Sequence, residues 1–388
     1  MTALSTRAQC LCGLAMLTLA TCAPQVAPGA GPSGGGSAAP APAAPASTGA
    51  APAPNAPAAQ PAASAPQPPL HIKMSTQRLT SDGVTMWAAE QGFFTEQGIE
   101  VEFIDVATGQ DVIPPLASGQ LDVAVGAVRP GLFNAIARGI DIKIVATKGA
   151  TSPDPNGPFP GGIWFVLGKE VAASGAIQDY PDLRGKTVAI SIRGSALEVI
   201  LDRALQRGGL TLDDIEIKLL GYADMLPALV NRQIDAALEL EPFIALGSGQ
   251  GILVPWKSAA EIHPGQQSGV ILYGPSIRQM GGNAGNRFMV PYTRGLRAYN
   301  DAFGPKRLKR DEIIASLVQN TALKDPALYD RLGYGFVNPD CYLNVDGMTY
   351  DLDWYLDHGY LSQKPDLTQI VDNSYCDYAV QQLGRYQP

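Results

Sequence analysis

Asp111-Val-Ile-Pro-Pro-Leu-Ala-Ser-Gly-Gln-Leu-Asp-Val-Ala124 aligns without a gap to Asp224-Met-Leu-Pro-Ala-Leu-Val-Asn-Arg-Gln-Ile-Asp-Ala-Ala237. The identities fall on Asp, Pro, Leu, Gln, Asp and Ala, a mixture that shared secondary structure alone does not dictate. Working outward, each copy follows a run that alternates apolar and polar residues, Ile99–Phe103 and Ile215–Leu219. That period of two is the mark of a half-buried strand. Each copy leads into an apolar run, Leu121–Val125 or Ile234–Leu238, which reads as another strand.

Further upstream, Ser81 or Asp82 is placed to cap a helix that Gly92 ends, and Ser195 to cap one that Gly208-Gly209 ends. Before these helices lie the strand-like runs His71–Ser75 and Thr187–Ser191. Both copies therefore read strand, helix, strand, helix, strand, the order of an α/β lobe with a largely parallel sheet. Two such lobes place a ligand cleft between them, outside the carboxyl ends of their strands.

The remaining chain frames this body. Of 28 basic and 36 acidic side chains, Arg7 alone falls before residue 71. The net charge of −8 disfavours a nucleic-acid partner. Only three histidines occur, His71, His263 and His358, too far apart in sequence for a metal motif, and no cofactor or metal is expected. Residues 1–22 read as a signal peptide, with Arg7, a short apolar run and Leu19-Ala20-Thr21-Cys22. This ending resembles a bacterial lipoprotein signal, which implies lipidation (palmitate included) of Cys22 and a place at the external face of the cell membrane. Residues 23–70 are rich in Ala and Pro and carry no charge, as expected of an extended, disordered spacer. Export leaves Cys341 and Cys376 in the folded body, either as a disulfide or as two buried thiols.

Several stretches are recognisable. Trp87-Ala-Ala-Glu-Gln-Gly-Phe-Phe-Thr-Glu-Gln-Gly98-Ile-Glu-Val, Leu116–Gly126, Asp182-Leu-Arg-Gly185-Lys186 and Gln233–Pro242 resemble motifs of bacterial binding proteins for alkanesulfonates, taurine, nitrate and thiamine precursors. The resemblance implies a two-lobed type II periplasmic-binding-protein fold and a role as the solute-binding component of an ABC importer. Its partners would be a permease, an ATPase and a small-molecule ligand, with the protein a monomer and not an enzyme. The layout of signal, Pro/Ala spacer and body is similar to riboflavin-binding lipoproteins of such importers. Riboflavin is therefore the first-ranked ligand, ahead of a thiamine-precursor pyrimidine or a sulfonate or nitrate anion.

Candidate ligand-binding residues follow from position. Trp87, Trp164, Tyr222 and Tyr273 are expected at cleft edges, where they could sandwich a flat ring. Ser75, Thr108, Arg129, Ser191, Arg193, Ser195, Glu239 and Glu241 are expected at or just after strand ends, where they could bond heteroatoms. Arg193-Gly194-Ser195, opening a helix, offers an anion cradle, whereas Glu239 and Glu241 favour a neutral or cationic ligand.

Enzymatic motifs fail on context. Arg184-Gly-Lys-Thr187 ends like a phosphate loop, but Tyr180 occupies the place of its first glycine. Gly31-Pro-Ser-Gly-Gly35 lies in the spacer, with no strand or helix to form an elbow. The expected boundaries are lobe one at 71–180, lobe two at 181–267, and a return to lobe one at 268–388. Helices are expected over Phe288–Phe303, over Asp311–Leu323 with Asp311 as N-cap, around Tyr350–Tyr355 and over Tyr375–Leu383.

Overall fold

The structure is a computed structural model describing residues 69–388 apart from 107–110 and 322. The expected signal, Cys22 and the spacer up to residue 68 lie outside the described residues, as does Thr108. Ten strands form two five-stranded sheets. The first has β1 (Leu70–Thr76), β2 (Ile99–Asp105), β3 (Val123–Ala127), β4 (Lys143–Ala150) and β10 (Gln267–Tyr273), in the order β2-β1-β3-β10-β4. The second has β5 (Ile163–Gly168), β6 (Thr187–Ile190), β7 (Glu216–Leu219), β8 (Ala236–Leu240) and β9 (Leu253–Ser258), in the order β7-β6-β8-β5-β9.

The sheets are built alike. β1 runs parallel to β2 and β3, as β6 does to β7 and β8. Each sheet then contains one antiparallel strand, β10 or β5. The repeated aspartates explain why the motif recurs. Asp122 accepts the backbone N–H of Lys73 at 2.9 Å and donates its own N–H to the Lys73 carbonyl. Asp235 does the same with Thr187, at 2.8 Å to the side chain. Each carboxylate thus fixes where a parallel strand meets its neighbour, and satisfies a backbone donor that the short ladder leaves free.

The lobe boundary differs from the sequence expectation. β5 and the helix Lys169–Ser174 belong with the second sheet, so the chain crosses between residues 151 and 162 instead of near 180. β5 is antiparallel to β8 and has no counterpart in the aligned repeat, so the pattern gave it no place. The chain returns to the first sheet with β10, beginning at Gln267.

The C-terminal third is helical, at Ala284–Phe303, Arg310–Asn320, Val345–Asp357 and Ser374–Leu383. The long helix Ala284–Phe303 packs against the helix Thr80–Glu90. Its buried face (Phe288, Tyr292, Leu296, Tyr299) shares a core with Ile72 and Met74 of β1. Lys309, in a left-handed backbone conformation, precedes the helix that Asp311 was expected to cap, and Asp311 sits in its first turn. The helix Val345–Asp357 reaches both lobes; Trp354 donates to Asp202 of the second lobe at 2.8 Å. Cys341 and Cys376 are fully buried and joined as a disulfide that ties the C-terminal helix to the chain ahead of it.

Candidate functional site

A cavity of about 250 Å³ lies between the lobes. Thr80, Ser81 and Val84 of the helix after β1 line it from lobe one, together with Lys148 and Gly149 of β4 and Ser268 and Gly269 of β10. Gly162, Ile163, Leu240 and Glu241 line it from lobe two, and the segment Leu332–Val337 closes a side. β1 and β8 present their carboxyl ends here, and β10 and β5 their starts, so the cavity sits where open α/β sheets hold ligands.

Both lobes turn a helix N-terminus towards the other, and each of those ends carries a carboxylate of its own first turn. In lobe one, Asp82 at the third position of Thr80–Glu90 folds back. Its carboxylate accepts from the N–H of Gln77 at 2.8 Å, from Leu79 at 3.3 Å and from the Thr76 hydroxyl at 3.2 Å. Lys148 pairs with it at 2.9 Å and donates to Ser81 Oγ at 3.0 Å. Both members of this ion pair are buried. In lobe two, Glu198 holds the third position of Ala196–Arg207. It accepts from Gly194 N–H at 2.6 Å, Arg193 at 2.6 Å and Tyr360 Oη at 3.0 Å. Gly194 has φ +61°, and the Tyr360 ring lies 3.1 Å from where a Cβ would stand, so both backbone and space require glycine. A carboxylate at a helix N-terminus is stabilised by its free N–H groups and dipole. A fixed carboxylate at each end disfavours an oxyanion there.

The residues of the expected cradle at Arg193 and Ser195 are engaged within the protein. Arg193 neutralises Glu198, and Ser195 is an N-cap that accepts from Glu198 N–H and donates to the Ile192 carbonyl. Three other expected site residues do not line the cleft cavity. Trp87 is 2 % exposed and packs edge-on to Phe93, because the C-terminal helices cover the outer face of its helix. Tyr273 is fully buried and donates to the Gly285 carbonyl at 2.8 Å. Ser75 is also fully buried and accepts from Val125 N–H at 2.9 Å, filling a gap between β1 and β3.

The other expected residues gather near the cleft. Ser191 donates to Tyr222 Oη at 3.0 Å, and Tyr222 stacks on Phe243. Burial raises the Tyr222 pKa, opposed by the Ser191 bond and by the charge of Arg129, which reaches it from lobe one. Glu239 acts on the same hydroxyl in the opposite sense. Trp164 donates to the Gly161 carbonyl and edges a depression beside the cavity, into which Glu241 also faces.

The two glutamates differ in their bonding. Glu241 accepts from Gly333 N–H at 2.8 Å and Ala245 N–H at 3.0 Å, and burial raises its pKa. Glu239 is fully buried; one oxygen accepts from Leu240 N–H, and the other has no partner. Burial, helped by the charge of Glu241 and opposed by the Leu240 bond, pushes its pKa up to about 8. At neutral pH Glu239 is therefore mostly a neutral acid. The expectations missed Lys148, Gly333 and the two plugging roles. The spelling Ser195-x-x-Glu198 carries a capping-box signal, but the glutamate reaches one residue further back, to Gly194. Among the described residues no group of three His, Cys, Asp or Glu side chains could hold a metal ion.

Two lobes of matching topology around a cleft define a periplasmic-binding-protein fold. Solved structures agree: the periplasmic aliphatic sulphonate binding protein of Escherichia coli superposes with a TM-score of 0.61 at 20% identity, covering 79% of this chain and 93% of that one. The nitrate-binding protein of Synechocystis PCC 6803 gives 0.63 at 15% identity, covering 81% and 89%. In sequence, residues 65–269, more than half of the chain, match the NMT1-like family, and the chain belongs to that family. A relative named as a candidate aliphatic sulfonates-binding protein of E. coli is 24% identical over 61% of this chain and 66% of its own length. One named as a candidate thiamine biosynthesis protein of Haemophilus influenzae is 29% identical over 39% and 43%. A Brucella abortus protein named only as a candidate binding protein is 26% identical over 40% of this chain. The chain thus spans 42% of the length of this last relative.

Proposed function

We propose that this chain is the extracytoplasmic solute-binding component of an ABC importer, and that its solute is a small uncharged or cationic nitrogen heterocycle of the thiamine-precursor pyrimidine class. The observation that carries the ligand class is the charge of the cavity wall. Its one lysine is already paired with Asp82, and a half-buried carboxylate, Glu241, lines the same cavity. An anion entering there would be desolvated without a free cation to compensate it. A heterocycle with amino groups would find acceptors. Of the four aromatic residues expected to sandwich riboflavin, Trp87 and Tyr273 do not line the cleft cavity, which leaves Trp164 and Tyr222 beside it.

Binding would draw the lobes together about the two crossings, and the closed form would be the one the permease reads. Cys22 and the Pro/Ala spacer support a lipid-anchored receptor at the external membrane face, where tethering raises its concentration near the permease. An intact mass of the mature, monomeric protein carrying diacylglycerol on Cys22 tests the anchor.

A second reading has its own observation. Arg129 faces the Ser191–Tyr222 pair across the lobes, and a sulfonate or nitrate could take donors from all three. Titration calorimetry with an aminopyrimidine, taurine, nitrate and riboflavin separates the readings. The proposal expects the aminopyrimidine to bind at least about a hundredfold more tightly than the anions, some 2.7 kcal/mol. Tighter binding of taurine or nitrate would replace it with the second reading, and tighter binding of riboflavin would overturn both.

A further inference from the structure

A second pocket, of about 390 Å³, opens on the outer face of lobe one, away from the cleft. It lies between the helices Thr80–Glu90 and Ala284–Phe303, whose other faces give Val84, Leu296 and Tyr299 to the cleft cavity. Its floor is aromatic, made by Trp87 and Phe93, and Leu308 stands on its rim, 54% exposed.

Three cations surround this floor. The Arg294 guanidinium carbon lies 3.5 Å from the centroid of the Phe93 ring, and the side chain pairs with Glu96. Arg297 pairs with Asp340 at 2.6 Å. Lys309 lies 5.9 Å over the Trp87 ring and makes no ion pair among the described residues. The one carboxylate of the lining, Asp301, is held by Lys306 at 3.1 Å and by the Tyr386 hydroxyl at 2.7 Å. The wall therefore keeps a positive charge without a partner.

The pocket also collects unmet donors. Among the described residues, the buried side-chain nitrogens without a hydrogen-bond partner are Trp87 Nε1 and Arg297 Nε, and both side chains line this pocket. A buried N–H left unpaired is costly, and a native chain rarely keeps two together without a reason. Lys309 holds its ammonium 5.9 Å from the centroid of the indole ring.

We propose that this outer pocket is a second binding site, distinct from the cleft, for a small apolar monoanion. Its hydrocarbon body would lie on Trp87 and Phe93, and its carboxylate would pair with Lys309; the two N–H donors, covered in this structure, would join only on side-chain movement. An aromatic carboxylate meets each of these demands: a flat apolar face, one negative charge, and oxygens that only accept.

The test uses 2-naphthoate as probe, with neutral 2-naphthamide as its isostere, followed by the indole N–H resonances of the four tryptophans. Trp87→Phe assigns the Trp87 signal. Naphthoate is expected to move that signal with a dissociation constant of about 1 mM or tighter, and the amide to bind at least about tenfold more weakly. Lys309→Met, a surface change, is expected to weaken naphthoate about tenfold while leaving the amide unaffected. A Trp87 signal unmoved at about 10 mM naphthoate overturns the proposal, as does equal binding of acid and amide. Loss of naphthoate affinity confined to the Lys309 variant supports it.

Discussion

The two helix N-termini that face the cleft share a solution and differ in their surroundings. Asp82 and Glu198 hold the same helical position in equivalent elements, and each turns its carboxylate back onto free N–H groups. In lobe one the compensating cation is Lys148, nearly as buried as Asp82 and part of the cavity wall. In lobe two it is Arg193, whose side chain is 43% exposed, backed by the Tyr360 hydroxyl. The device recurs with a buried carboxylate in both copies, and the surroundings leave the cation dry in one and part-exposed, hence wet, in the other. A dry ion pair is costly to break singly because its partner stays buried; a wet one is screened.

The largest effect should come from the dry copy. Asp82→Asn leaves Lys148 buried and unpaired and is expected to cost about 3–5 kcal/mol, read as a shift of the urea midpoint. A loss no larger than that of the lobe-two variant would break the contrast. Glu239→Gln should show a pH signature instead. The folded pKa of Glu239 is raised to about 8, so the native state binds more protons than the unfolded chain and wild-type stability falls as pH rises from the ordinary glutamate range through 8. The variant removes that fall, gaining on the order of 4 kcal/mol at pH 9 relative to pH 4. Parallel stability profiles for wild type and variant would show that Glu239 is solvated.

Replacing Cys341 and Cys376 by Ala opens a bridge across 35 residues, with an expected cost near the upper end of the usual range, about 3–4 kcal/mol at most. A cost confined to lobe one, with hydrogen-exchange protection of β6 and β8 unchanged, would show the lobes to be separate in stability. The smallest effect belongs to the wet copy. Glu198→Gln keeps an acceptor for Gly194, and the cation it leaves behind, Arg193, is part-exposed and can turn to water, so the cost is about 1–2 kcal/mol.

The repeat made the architecture legible because its aspartates do backbone work that any such lobe requires. Asp122 and Asp235 each anchor a parallel strand, so the sequence shows the duplication directly. β5 was hidden for the opposite reason. It arrives from the crossing and lies outside the duplicated unit, so its apolar run matched nothing upstream. The site was less legible because strand-end position does not reveal which side of a layer a side chain takes. Ser191, Tyr222, Glu239 and Glu241 gather at or beside the cleft, whereas Trp87 and Tyr273 are covered by C-terminal helices that have no part in the repeat. Lys148 went unnoticed because a lone lysine ending an apolar strand carries no motif; only the fold brings Asp82 to it.

The central claim is that the chain's own carboxylates close both helix cradles against an oxyanion ligand. Its most direct test compares taurine binding by wild type and by Asp82→Asn under matched salt. Asn removes the negative charge and leaves Lys148 without its partner, so the variant should bind taurine at least about tenfold more tightly than wild type. Tight taurine binding by wild type, lost in the variant, would contradict the claim.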